Sequence, residues 1–475
     1  MSNDPQDLCY ISATDALALF QAGHLSPTEL ARAVISRSEA VDPKINAYTY
    51  TFYDRALEAA KAAEAHYRNG TSRPLEGIPL AVKDSNAVAG EITTYGSKIY
   101  ADHRPERTHP GVQRLLDAGA ILLARTTMPE FGEAGNCYTP LWGVTRNPWN
   151  TEYGPGGSSS GAGASLAAGM TTLADGSDIG GSIRIPAACC GVVGYKAPYG
   201  RNPNPYEASF DPYMHYGPLA RTVADIGLMQ NIIAGVHVED IGTLREKMHI
   251  PARLDSVKGW KIAYSIDLGY FQVDNEVRQN MLEALQALRE AGCQVDEVEL
   301  GWTEEAYDAW YTINGMRGSA ARKVPDVDRW RPHLADYTID VLDTGIRATN
   351  EQMIRALEVH VDMYRSLGTM LETYDAFVCP TNAIPSVGAD RSPLDLDIRI
   401  NGEQATRVVA SAWFMTYPFN MLSQLPVMSV PSGFASTGVP TGIQIVGRSY
   451  DDLSVFRVAA AVEREKPWNT KRPEI

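Results

Sequence analysis

The sequence lacks the features that mark nucleic-acid-binding, membrane and secreted proteins. Its 42 basic residues are outnumbered by 57 acidic ones, and the formal net charge of -15 argues against nucleic acid and against an anionic membrane as partners. No apolar run is long enough to span a bilayer, and the first residues have no signal peptide. These absences predict a cytoplasmic protein and leave small neutral or cationic substrates open.

Cysteine is scarce, and the usual metal and nucleotide motifs are absent. The six cysteines form no Cys-x-x-Cys pair and no zinc-finger spacing, and His-x-x-x-His is missing. Phosphate-binding loops of the P-loop and dinucleotide types are missing as well. The sequence therefore predicts a reducing compartment and no metal site.

Glycine and serine are concentrated in one stretch. Gly154-Pro-Gly-Gly-Ser-Ser-Ser-Gly161 is followed by Asp178-Ile-Gly-Gly-Ser-Ile-Arg184, so Gly-Gly-Ser occurs twice and predicts two hydroxyls on tight turns. By composition alone, a flexible linker is about equally compatible. Residues 162–174 are small and apolar, however, as in a buried helix that runs into a buried strand, and this favours a folded site.

The same stretch formally matches the nucleophile turn of α/β-hydrolases. Gly157-Ser158-Ser159-Ser160-Gly161 has the form Gly-x-Ser-x-Gly, with Ser159 at its centre. That turn follows a strand, whereas residues 146–155 contain two prolines and several turn residues. The match is therefore interpreted as accidental.

Helical and strand patterns alternate along the chain and predict an α/β fold with a sheet covered on both faces. We expect one domain, 1–475, with an N-terminal helical segment 1–70, a core 71–235 and a remainder 236–475 with a pocket-forming insert at 302–372. The pattern predicts a helix near Met128 and a helix from Asn350. The apolar stripe of the second comprises Ile354, Leu357, Val361, Tyr364 and Leu371.

A serine nucleophile needs a base, and no histidine lies in a motif that marks it as catalytic. Lys83 ends an apolar strand pattern, where burial favours a neutral amine. The structural alternative is a lysine paired with an acid such as Asp84. Ser182 ends a glycine-rich turn whose backbone N–H groups are predicted to point inward together and form an anion-binding nest. These are the N–H groups of Ile179, Gly180, Gly181 and Ser182.

Several stretches together resemble the amidase signature hydrolases. Gly-Gly-Ser-Ser-Ser-Gly, Asp-Ile-Gly-Gly-Ser-Ile-Arg-Ile-Pro-Ala and Gly-Val-Val-Gly-Tyr-Lys look like the family's signature, and Gly-Ile-Pro-Leu-Ala-Val-Lys-Asp looks like its lysine strand. The resemblance covers nearly all of the chain. It implies a single α/β/α layered domain with a central mixed sheet, no metal or organic cofactor, and often a homodimer.

The resemblance also implies the roles of individual residues. Ser182 is the implied nucleophile, Ser158 the bridging serine on a cis peptide bond, and Lys83 the base. Ser158 is preferred over its two neighbours because its separation from Ser182 resembles the family's spacing. Supporting roles are expected for Ser159, Asp178 and Arg184. The chain departs from the family pattern at Ser177, where threonine is commoner, and at residues 197–199, where Ala-Pro-Tyr follows Lys196.

These residues predict hydrolysis of a carbon–nitrogen bond through a serine acyl-enzyme. The substrate is expected to be a small amide-type molecule, with anilides, carbamates and ureas also open. Tyrosine and tryptophan in the candidate pocket favour an apolar or aryl acyl group; the predicted pocket residues are Phe131, Gly132, Cys137, Tyr138, Trp142 and Tyr199. The alternative function is the glutaminase component of a tRNA-dependent amidotransferase, and a non-catalytic scaffold is disfavoured because it would not need the lysine and both serines.

Overall fold

A mixed sheet of 11 strands forms the centre of the molecule, whose computed structural model describes residues 5–475. Residues 1–4 of the predicted N-terminal segment lie outside the described residues. The strands are β1 Tyr48–Thr51, β2 Pro79–Lys83, β3 Ile121–Thr126, β4 Tyr138–Thr139, β5 Gly143–Val144, β6 Leu173–Asp178, β7 Val193–Lys196, β8 His215–Ala220, β9 Lys261–Tyr264, β10 Gln294–Glu297, β11 Ala376–Pro380, β12 Arg399–Ile400, β13 Glu403–Gln404, β14 Val427–Phe434 and β15 Pro440–Val446.

The order of strands in the sheet is β1-β3-β2-β6-β8-β7-β14-β15-β11-β9-β10. Strand β2 runs parallel to both β3 and β6, and β9 runs parallel to both β10 and β11. The pairs at the centre, from β6 through β15, are antiparallel. The short pairs β4–β5 and β12–β13 form separate ribbons.

Helices cover both faces of the sheet. They are α1 Pro5–Cys9, α2 Ala13–Ala22, α3 Pro27–Ile45, α4 Tyr53–Arg68, α5 Pro110–Asp117, α6 Ser160–Ala167, α7 Arg184–Cys190, α8 Val223–Ile233, α9 Asn275–Glu290, α10 Glu305–Arg317, α11 Ser319–Lys323, α12 Val327–Trp330, α13 Asp336–Arg347, α14 Asn350–Leu371, α15 Arg407–Ser411, α16 Pro418–Met421 and α17 Asp452–Glu465. Among these helices, none is long and apolar enough to cross a membrane.

Both faces of the central strands are buried, which explains their continuous apolar runs. On β14, Val427 and Met428 enter two different hydrophobic clusters, and Phe377 and Val378 on β11 do the same. Successive side chains of a strand point to opposite faces, so each cluster lies on one side of the sheet. The predicted α/β fold is thus confirmed as an α/β/α arrangement.

Two element predictions are wrong. The expected helix near Met128 is only a 3-10 turn, Glu130–Gly132, which Phe131 interrupts with a positive φ of 52°. On α14, four residues of the predicted apolar stripe face outward, since Ile354 is 60% exposed and Tyr364 45%. The buried face of α14 instead comprises Ala356, Val359, Met363, Leu367 and Leu371. The helix carries apolar residues on two faces, and only packing decides which face is covered.

Candidate active site

Neighbouring strands bring the lysine and the glycine-serine block together. Lys83 is the last residue of β2, and the adjacent strand β6 ends at Asp178, just before the second Gly-Gly-Ser. Because β2 and β6 are parallel, their carboxyl ends meet at one edge of the sheet. Ser158 and Ser159 directly precede α6, the buried helix that leads into β6. The prediction that residues 162–174 fold as a helix and a strand is confirmed.

The amine of Lys83 is fully buried and contacts two hydroxyls. Its Nζ lies 2.8 Å from Ser158 Oγ and 3.0 Å from Ser177 Oγ. Burial lowers the pKa of Lys83 to about 7, although the negative charges of Asp175 and Asp178 oppose this effect. A substantial fraction of the amine is therefore neutral near pH 7 and is able to accept a proton.

The alternative partner for Lys83, Asp84, points elsewhere. Its carboxylate accepts hydrogen bonds from the hydroxyl and backbone N–H of Thr94 and lies 3.9 Å from the guanidinium of Arg125. Among the described residues, no carboxylate forms a salt bridge with Lys83. The amine thus has hydroxyl partners in place of a buried ion pair.

The peptide bond between Gly157 and Ser158 is cis, and the Ser158 side chain is almost fully buried. Gly132 lies close by with a φ of +82°, and a Cβ atom on it would be 3.1 Å from Ser158 Oγ. Only a residue without a side chain leaves room for this hydroxyl without a shift of the neighbours.

Ser182 lines the same cavity as Ser158 and is partly exposed to it. Its carbonyl accepts a hydrogen bond from the Ser159 N–H at 3.0 Å, which ties the two Gly-Gly-Ser turns together. In the described part of the chain, no hydrogen bond joins the Ser158 and Ser182 hydroxyls. Hydrogen bonds between reacting groups are often formed only when substrate is present.

The anion-binding nest after β6 has fewer available N–H donors than the sequence predicts. The Gly181 N–H was expected to point into it, but it donates to Asp178 Oδ1 at 2.8 Å. This geometry corrects the prediction for Gly181, because a donor held by a buried carboxylate is not free for an oxyanion. Within residues 5–475, no hydrogen bond uses the N–H groups of Ile179, Gly180 and Ser182, which remain as donors.

Asp178 and Arg184 form a fully buried ion pair beneath the nest, with N–O distances of 3.0 Å. Burial by itself raises the pKa of Asp178, but the charge and hydrogen bonds of Arg184, with a further bond from Asn420, outweigh it and hold the pKa well below its usual range. Arg184 also donates to Gln444 Oε1 at 2.8 Å. The pair therefore fixes the nest to β15.

A cavity of about 920 Å³ contains Ser158, Ser177 and Ser182 in its wall. Of the predicted pocket residues, Phe131 and Gly132 line it. Its apolar wall includes Met128, Phe131, Ile185, Met214, Trp310 and Phe414. Trp310 comes from α10, which lies within residues 302–372.

The other four predicted pocket residues lie outside the cavity wall, which corrects that prediction. Cys137 is fully buried in the protein interior, and Tyr138 pairs with Val144 in the β4–β5 ribbon. Trp142 donates to Thr94 Oγ1 at 3.0 Å, and the Tyr199 hydroxyl donates to the Ser209 carbonyl at 2.7 Å. The aromatic character of Tyr138, Trp142 and Tyr199 suggested a pocket, but none of the three side chains lines the cavity.

Sequence reasoning missed several residues of the site. Ser177 was noted only as a departure from the family pattern, yet its hydroxyl is one of two that contact Lys83. His103 and residues 105–110 line the cavity although this segment carries no motif. A signal existed for Asp175, because an acidic residue inside a buried strand is unusual without a partner. Among the described residues, no group of three or more His, Cys, Asp or Glu side chains is arranged to hold a metal.

Comparisons by sequence and by structure all find relatives of one family. The profile of the family described as Amidase matches residues 29–456. An acylamidase of Rhodococcus erythropolis is 37% identical over 98% of this chain and 98% of its own length. A glutamyl-tRNA(Gln) amidotransferase component of Chloroflexus aggregans is 32% identical over 99% of each chain. The crystal structure of a bacterial aryl acylamidase of the amidase signature enzymes superposes with a TM-score of 0.88 at 30% identity, over 97% of each chain.

These relatives span nearly the whole chain, so the likeness is not limited to the glycine-serine motif. The resemblance inferred from the sequence is confirmed, and so is the fold. The chain belongs to the Amidase family, the amidase signature enzymes, and is an amidohydrolase.

Proposed function

We propose that this amidohydrolase cleaves its substrate through an acyl-enzyme on Ser182, with Ser158 as the bridging serine and Lys83 as the base. The observation that carries the proposal is the 2.8 Å contact between Lys83 Nζ and Ser158 Oγ, which is buried in the wall of the cavity that also holds Ser182. A buried lysine whose pKa is lowered to about 7 is suited to accept a proton at neutral pH.

The proton moves in one direction during acylation. Neutral Lys83 takes a proton from Ser158 Oγ, which takes one from Ser182 Oγ as that oxygen forms a bond to the carbonyl carbon. The N–H groups of Ile179, Gly180 and Ser182 stabilise the oxyanion. The Lys83 proton then returns through Ser158 to the leaving nitrogen as the C–N bond breaks. A water molecule repeats the sequence and releases the carboxylic acid.

The proposed substrate is a linear amide with an apolar or aryl group. The apolar wall of the cavity, with Phe131, Trp310 and Phe414, supports this class, as do the relatives described as an acylamidase and an aryl acylamidase. Flat aromatic groups gain from contact with aromatic walls in addition to the area they bury.

Trapping the nucleophile tests the proposal. A fluorophosphonate should label the enzyme once, and peptide mass mapping should place the adduct on Ser182. Ser182→Ala should fold normally but lose labelling and turnover, because the change removes one hydroxyl and keeps the backbone donors. An adduct on any other residue of the wild-type enzyme contradicts the assignment.

The second candidate function is the glutaminase component of a tRNA-dependent amidotransferase. A relative with an amidotransferase name is 32% identical over nearly the full chain, so overall likeness does not separate the two functions. Purified protein without tRNA or other protein components should hydrolyse simple aryl amides if our proposal is correct. Activity on glutamine that appears only with partner proteins would favour the alternative.

We also propose a cytoplasmic location and a homodimer. All six cysteines are buried, and Cys137, Cys189, Cys190, Cys293 and Cys379 are free thiols, which suits a reducing compartment. The homodimer is proposed from the family resemblance, as is one domain for residues 1–475. Light scattering of the purified protein measures the oligomeric state, and a monomer at micromolar concentration would refute the dimer.

A further inference from the structure

Asp175 is a buried carboxylate that has no part in the proton path described above. It lies on β6 and is fully buried. Its Oδ1 accepts a hydrogen bond from the backbone N–H of Lys83 at 2.6 Å. Its Oδ2 accepts bonds from Asn86 Nδ2 and from the Tyr216 hydroxyl, both at 3.0 Å. Asn86 and Tyr216 line the cavity, so one carboxylate joins Lys83 to the pocket wall.

The hydrogen-bond partners of Asp175 are those that an ionised carboxylate accepts from. A backbone N–H and an amide NH₂ can only donate, and both carboxylate oxygens are occupied by donors. Burial is the largest effect and raises the pKa of Asp175, while the bond from the Lys83 N–H, the bond from Asn86 and the charge of Arg125 offset part of this rise. Hydrogen bonds to an ionised group are about twice as strong as neutral ones, so this carboxylate holds its partners firmly.

We propose that Asp175 is a positioning residue of the active site, which holds the end of β2 so that the Lys83 amine meets Ser158, and holds Asn86 and Tyr216 in the pocket wall. This inference rests on the proposed role of Lys83 as the base. Asp175 contacts the backbone of the lysine and not its amine, so it acts through Lys83 and not on the substrate.

The charge of Asp175 also acts on the Lys83 amine. Burial lowers the pKa of Lys83, and Asp175 is the foremost of the charges that oppose this, ahead of Asp178 and Cys137. Asp178 is balanced by its ion pair with Arg184, and burial raises the pKa of the Cys137 thiol.

The charged group and the phenol that act on this carboxylate are Arg125 and Tyr216. Arg125 and Asp84 face each other at 3.9 Å, and burial raises the pKa of Tyr216 well above its ordinary value, so the phenol stays neutral. Removing the charge of Asp175 therefore lowers the pKa of Lys83.

The test is the pH profile of kcat/KM for Asp175→Asn beside wild type, with any amide that the enzyme hydrolyses. The acid limb should move to lower pH by about one unit or more, because an opposite charge nearby has been removed. The plateau should fall about 10- to 100-fold, because the lysine is no longer held in place. A residue that served only the fold would lower the yield of folded protein and leave the limb unmoved.

Two control variants isolate the effect. Asp84→Asn removes a buried carboxylate that is next to Lys83 in the chain but accepts hydrogen bonds from Thr94 and Gly96. The acid limb of the kcat/KM profile of this variant should therefore match that of wild type. Tyr216→Phe removes one hydrogen bond to Asp175 and keeps the charge, so its limb should also stay in place. An unmoved limb in Asp175→Asn, or an equal shift in Asp84→Asn, overturns the proposal.

Asp175→Glu keeps the inference testable if Asp175→Asn does not fold. It keeps the charge and displaces the carboxylate, so the plateau should fall while the limb stays near that of wild type; an unchanged plateau overturns the positioning role. Failure of the proposed function looks different, because Lys83→Met would then retain nearly normal activity. An inactive Lys83→Met together with an unmoved limb in Asp175→Asn refutes the role of Asp175 alone.

Discussion

Replacing Lys83 with methionine tests the proposed base most directly. Methionine is similar in length and fits an apolar site, but it cannot accept a proton. The pKa of Lys83 is lowered from an ordinary 10.5 to about 7, so about half of the amines are neutral at pH 7. Without that shift, only about one in 3000 would be neutral, since each pH unit changes the ratio tenfold. Lys83→Met should lower kcat/KM by several orders of magnitude, because base and bridge act as a unit.

The assay is the pH profile of kcat/KM for hydrolysis of an aryl amide. The kcat/KM of the wild-type enzyme should rise with pH through an acid limb near pH 7 and then become constant. An ordinary histidine titrates near 6.5, so the position of the limb alone does not identify the base. Of the histidines in the cavity wall, His109 has a pKa that burial lowers to about 3, which leaves His103 as the matched control. Nearly normal activity in Lys83→Met, or loss of activity in His103→Gln, would refute the reasoning.

The same shift predicts how stability changes with pH. The folded state holds the Lys83 proton less tightly than the unfolded state, so burial of this lysine costs most below pH 7, and the cost disappears as pH rises to 10.5. At about 1.4 kcal/mol per pH unit, the cost at neutral pH is about 5 kcal/mol. Lys83→Met should therefore unfold at higher urea concentration than wild type at pH 6, with a smaller difference at pH 10. Parallel stability curves for the two proteins would show that the lysine is not buried in a neutral form.

Three further results are expected. Ser177→Ala removes one of the two hydroxyls that contact Lys83 Nζ, so kcat should fall about tenfold, which corresponds to one lost hydrogen bond, whereas Ser177→Thr should retain activity; equal kcat values in both variants contradict this. Gly132→Ala places a Cβ 3.1 Å from Ser158 Oγ at a φ of +82°, so kcat should fall by more than the loss of stability, measured as a lower melting temperature, would explain. Full activity would show that the bridging Ser158 tolerates displacement. Chelators should leave turnover unchanged; loss with EDTA that a divalent ion restores would refute a cofactor-free mechanism.

Local sequence determined the backbone framework of the site. Lys83 ends a short apolar run with a β-branched residue, and this local pattern is typical of a buried strand. Glycines at tight turns mark both serine segments, because few other residues adopt the required backbone. At the start of α3, Ser26 and Glu29 form a capping box, which four adjacent residues encode. These features depend on neighbours in the chain, so one sequence is enough to predict them.

Tertiary structure alone decided which side chains meet. Lys83 reaches Ser177 only because β2 and β6 lie side by side, across 94 positions of sequence. Asp178 takes the Gly181 N–H because Arg184 and Asn420 orient its carboxylate. Such contacts join distant segments, and no local pattern encodes their distances.

Tertiary packing also determined which residues line the pocket and which face of α14 is buried. Tyr138, Trp142 and Tyr199 have the composition of a pocket wall, but each finds its contacts elsewhere. The predicted apolar stripe of α14 has the correct period, but four of its five residues lie on the exposed side. Periodicity shows that a helix has an apolar face, but which face is buried depends on the surface that packs against it, and this is a property of the folded molecule.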